Sequence, residues 1–71
     1  MGSDTDVTIM SLTERIRSEF VEASDLVITV EEGMRFWVID AETCARVLND
    51  LYAMGFLVKR PDGQYLRRHA A

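Results

Sequence analysis

The stretch DAETCARVLNDLYAMGFLVKRPDGQY, Asp40–Tyr65, decides how the rest of the chain is read. Asp40 has the chemistry of a helix N-cap, because its carboxylate accepts from the free N–H groups of a first turn, and Glu42 follows at the positive end of the helix dipole. Cys44, Val47, Leu48 and Leu51 then recur at i, i+3, i+4 and i+7, which makes one apolar stripe along a helix. Gly55 adopts left-handed backbone without a Cβ clash and stops that helix. Beyond it, Phe56-Leu57-Val58 reads as a strand, Arg60-Pro61-Asp62-Gly63 as a tight turn, and Gln64-Tyr65-Leu66 as the antiparallel return.

Working back from Asp40, Trp37-Val38-Ile39 reads as the turn between two helices, with Trp37 plugging the gap where they cross. The preceding helix runs from about Val30 to Phe36 or Trp37, with Val30, Met34, Trp37 and Val38 as its inward face. It starts at a capping box, Thr29-Val30-Glu31-Glu32. Leu26-Val27-Ile28 is a short β-prone run placed to add a third strand beside the hairpin. Leu12, Ile16, Phe20 and Ala23 share one face of a first helix that ends near Ala23–Ser24. A second capping box, Ser11-Leu12-Thr13-Glu14, sets its start at Ser11, so residues 1–10 are read as a flexible arm. The domain then spans 11–68, followed by a short tail, 69–71.

A chain of 71 residues forms one domain. A domain this small buries only about 60% of its unfolded surface, so its stability margin is thin and dimerisation helps. Apolar residues at 48% and charged residues at 28% are ordinary for a folded domain. No apolar run approaches the ~18 residues that span a bilayer, and neither a signal-peptide pattern nor a myristoylation pattern is present, so a cytoplasmic setting is expected. One cysteine, Cys44, and one histidine, His69, leave no metal-ligand set. With no phosphate-binding glycine loop and no nucleophile pattern, an enzyme, a cofactor and a small-molecule substrate are not expected. Net charge is −4, unevenly spread. Residues 1–55 hold four basic side chains against eleven acidic ones, whereas 56–71 hold Lys59, Arg60, Arg67 and Arg68 against Asp62 alone.

The order helix, short strand, helix, turn, helix, two-stranded hairpin resembles the winged helix-turn-helix superfamily of bacterial regulators over residues 11–68. The likeness is carried by Thr43-Cys44-Ala45-Arg46-Val47-Leu48-Asn49-Asp50-Leu51, by Gly55-Phe56-Leu57 and by Arg60-Pro61-Asp62-Gly63-Gln64-Tyr65. It implies an α+β fold, a three-helix bundle with a small antiparallel β-wing, whose third helix enters the major groove of duplex DNA to regulate transcription. Glu42, Thr43, Arg46 and Asn49 would face bases, with Arg46 suited to guanine and Asn49 to adenine. Lys59, Arg60, Gln64, Arg67 and Arg68 would be the wing contacts to phosphate.

The charges qualify that expectation. The third helix sets Arg46 against Asp40, Glu42 and Asp50, a poor groove-binding surface, so a monomer would bind weakly and a homodimer would double its contacts. Arg46 and Asn49 also read as solvated residues of an amphipathic helix, and the four C-terminal cations as charges that keep an edge strand from aggregating. Cys44 reads as a buried, inert thiol. The alternative function is a winged-helix scaffold for protein contact or dimerisation without DNA, using Val21, Phe36 and Met54, which fit no helix stripe.

Overall fold

The computed structural model describes residues 3–68, with side chains from Ile9 onward. Its elements run α1 (Ser3–Glu22), β1 (Val27–Ile28), α2 (Val30–Trp37), α3 (Ala41–Ala53), β2 (Leu57–Lys59) and β3 (Tyr65–Arg67). Three helices thus pack with a three-stranded antiparallel sheet of order β1-β3-β2, a small α+β domain. Met1, Gly2 and the 69–71 tail with His69 lie outside the described residues.

The helix α1 begins at Ser3, well before the capping box expected at Ser11, and takes in most of the stretch read as an arm. Ser11 is an exposed mid-helix residue, while the hydroxyl of Thr13 donates back to the carbonyl of Ile9 at 2.7 Å, a bond made inside a helix and not at its cap. The reason is Ile9: it lies three residues before Leu12 and seven before Ile16, extends the same apolar stripe by a turn, and joins the core.

The box at Thr29 does form. Thr29 is extended (φ −93°, ψ 168°), its hydroxyl accepts from the N–H of Glu32 at 3.2 Å, and Glu32 accepts from the N–H of Thr29 at 2.9 Å. Asp40 caps α3 in the same manner, accepting from the N–H of Thr43 at 3.3 Å. Between the two helices the expectation for Val38 fails: it is 86% exposed, with φ 54° and ψ 56°. Trp37 turns inward as expected, 6.4 Å from Phe20. Val38 is the left-handed residue that redirects the chain, and its side chain is thrown outward.

Cys44, Val47, Leu48 and Leu51 of α3 are fully buried with Ile16 and Phe20 of α1 and with Ile28, Leu57 and Tyr65 of the sheet. The helices α2 and α3 approach closely at Gly33, where a Cβ would lie 2.7 Å from the sulfur of Cys44 and 2.8 Å from the Trp37 ring. The Cys44 thiol donates to the carbonyl of Val30 at 3.5 Å. Burial, and secondarily the Asp40 carboxylate, push its pKa above the ordinary value, so the thiol is the protonated, inert group anticipated.

The exit of α3 is a Schellman motif: Gly55 (φ 81°) donates to the carbonyl of Tyr52, and Phe56 donates to that of Leu51, each at 3.0 Å. The hairpin strands start one residue later than expected, since the N–H of Phe56 is committed to the helix exit. Leu57 and Tyr65 point to the core. Val27, Leu66 and Val58 stand in register across the other face, all half-buried.

Candidate functional site

Capping by Asp40 fixes where α3 starts, and the buried stripe fixes which face is left over. Glu42, Arg46 and Asn49 are on that face and Thr43 is half-buried at its edge. One of these is not a free polar group. The carboxamide oxygen of Asn49 accepts from the hydroxyl of Tyr65 at 3.0 Å, which satisfies a tyrosine otherwise sealed in the core and pins the amide plane to β3. A bidentate contact to adenine would have to share that oxygen.

Arg46, itself exposed, lines an open groove of about 720 Å³ between α3 and α1. Met10, Thr13 and Glu14 form one wall, with Arg46, Asp50 and Met54 on the other. Met10 and Met54 are 68% and 64% exposed, so the groove floor is apolar and its rim carries both signs of charge. Val21 and Phe36 are exposed as well, on α1 and α2, and Phe36 meets the edge of Trp37 at 5.6 Å.

The five hairpin residues divide into two groups. At the tip, the N–H of Gly63 (φ 89°) donates to the carbonyl of Arg60, that of Arg60 to the carbonyl of Gln64, and that of Gln64 to the Asp62 carboxylate. This ladder holds Arg60 exposed at the turn, with Gln64 beside it and the Lys59 ammonium 5.5 Å from the centre of the Tyr65 ring. Arg67 and Arg68 lie at the opposite end of the strands. Arg67 pairs with Leu57 across the ladder, and Arg68 donates its N–H to the carbonyl of Phe56 at 2.9 Å.

There the structure adds Arg17, which helical spacing alone puts on the solvated side of the first helix. Its guanidinium lies 5.3 Å from the centre of the Phe56 ring, and that of Arg67 lies 5.6 Å from the same centre. Nothing local in the sequence links Arg17 to Phe56; only the packing of α1 against the α3 exit brings them together. Among the described residues no cluster of histidine, cysteine or carboxylate side chains has metal-site geometry, and no helix is long and apolar enough to cross a membrane.

No protein-family model matches the chain, and no curated protein or solved structure matches it.

Proposed function

We propose that the chain is a winged-helix domain that binds duplex DNA as a cytoplasmic transcriptional regulator, with β2–β3 as its wing. The observation that carries this reading is the placement of the hairpin tip, Lys59, Arg60 and Gln64, on the element that follows α3, whose outer face carries Glu42, Arg46 and Asn49. The step from that arrangement to DNA is an analogy of fold. In this reading the tip cations meet phosphates, Arg46 at the rim of its groove reaches a base, and Asn49 serves first to fix the hairpin against α3. A homodimer supplies the contacts that one acidic helix lacks.

Fluorescence anisotropy on random-sequence duplex, titrated with salt, tests it. Binding should weaken steeply as salt rises, and Arg60→Ala should lower the slope of log K against log salt by about 1. An unchanged slope, or no binding at low salt, sinks the DNA reading.

A second reading, a scaffold for protein contact, is favoured by the Met10–Met54 groove and by the three carboxylates that accompany Arg46 on and before α3. Met-rich apolar grooves suit flexible packing against a partner surface. Met54→Glu separates the two readings. It should abolish self-association in light scattering if the groove is the working surface, and should leave DNA affinity intact if the tip is.

A further inference from the structure

The base of the hairpin concentrates positive charge in a chain that is acidic overall. Arg17 and Arg67 both lie against the Phe56 ring, so the sum of 5.3 and 5.6 Å bounds the separation of their guanidinium carbons. Arg68 completes the group: one of its terminal nitrogens is the nearest atom to the open side of Gly55, 3.9 Å from where a Cβ would stand. Met54, Gly55, Phe56, Arg67 and Arg68 enclose an open concavity of about 400 Å³ there, and among the described residues no carboxylate lines it. Arg67 and Arg68 both line it and Arg17 lies against the same ring; like charges gathered around one ring repel, and the ring face offsets that only in part. An anionic ligand would relieve that repulsion. Guanidinium groups present paired donors that match phosphate oxygens, and two of them lie against Phe56.

We propose that Arg17, Arg67 and Arg68 around Phe56 form a phosphate-binding site, separate from the hairpin tip. The ligand is a phosphoryl group, borne either by a small phosphorylated compound or by a nucleic-acid backbone. This site does not depend on the DNA reading, which rests on Lys59 and Arg60 at the other end of the strands.

The test is NMR on the full ¹⁵N-labelled chain, titrated with sodium pyrophosphate at constant ionic strength. Saturable shifts are expected in the Nε–H signals of Arg17, Arg67 and Arg68 and in the Phe56 ring protons. Arg17→Gln and Arg68→Gln, both at exposed positions, should each weaken the interaction about tenfold, the scale of one charge-assisted hydrogen bond, while Arg60→Gln leaves it unchanged. Shifts that grow linearly without saturating, or an equal loss in Arg60→Gln, overturn the proposal. Given saturation by pyrophosphate, a short duplex titrated in parallel identifies the source. Movement of the same four residues assigns the phosphate to nucleic acid, and movement confined to the tip, or none, assigns it to a small compound.

Discussion

The helices α2 and α3 leave by the same route and with different residues. At the end of α2, Val38 is left-handed and the N–H of Ile39 reaches back to the carbonyl of Met34 at 3.1 Å; at the end of α3, Gly55 is left-handed and the N–H of Phe56 reaches back to Leu51 at 3.0 Å. Each is followed by a half-buried apolar residue that packs on the core. Glycine takes this backbone freely, whereas a β-branched residue pays about 1–2 kcal/mol in clash with its own carbonyl. Burial of Val38 does not offset that cost, because the side chain is in water. The α2–α3 turn is therefore the strained exit, held in shape by what packs around it, and the α3 exit is the relaxed one.

Gly33 gives the harshest test of that contrast, because it lets α2 sit tightly enough on α3 to impose the turn. Gly33→Ala drives a methyl into Cys44 and Trp37 and should lower stability by roughly 2–3 kcal/mol in chemical denaturation. A loss under 0.5 kcal/mol, far below that ~2–3, would mean the approach is looser than described. Gly55→Val makes the relaxed exit resemble the strained one and should cost about 2 kcal/mol, with the unfolding midpoint falling accordingly. The reverse exchange, Val38→Gly, relieves strain but adds unfolded-state freedom, for a net gain of about 0.5–1 kcal/mol. That gain appears as a rise of a few degrees in Tm, about 4–8 °C per kcal/mol for a domain of this size. No rise would show that the strain relieved is no larger than the freedom gained by the unfolded chain.

The smallest effect lies at the start of α3. The side chain and backbone N–H of Thr43 hold the Asp40 carboxyl below its ordinary pKa of 3.8. A carboxyl lowered on folding adds stability that is complete above its unfolded pKa, about 4, and fades as pH drops through the folded value. Asp40→Asn keeps a capping group without the titration. The gap in Tm between the two proteins should thus be constant from pH 7 to about pH 5 and shift in favour of the Asp40→Asn variant only in stronger acid; parallel curves down to about pH 2 would contradict the assignment.

The contrast between the exits also explains what can be read in the sequence. Glycine announces a left-handed stop, so the end of α3 and the hairpin beyond it are legible almost to the residue. Valine announces a buried β-branched position, so the pattern places Val38 inward, and only the commitment of Ile39 to the Met34 carbonyl throws it out. A capping box is legible only where the chain before it is extended: Thr29 follows a strand and caps, whereas Ser11 follows a turn of helix containing buried Ile9 and does not. The candidate site is legible as a set of polar residues and not as a surface. Asn49 has the chemistry of a base reader, but Tyr65, sixteen positions later, bonds its amide oxygen. The basic residues form one patch in sequence, and strand register parts them, two to each end.

The Tyr65–Asn49 bond makes the hairpin and α3 act as a caliper of set opening, joined at a point well away from the turn that connects them in sequence. A partner that touches both meets a gauge and not two independent arms, so it selects for spacing without losing the entropy of freezing a hinge. Tyr65→Phe would leave each arm intact and let the jaws drift.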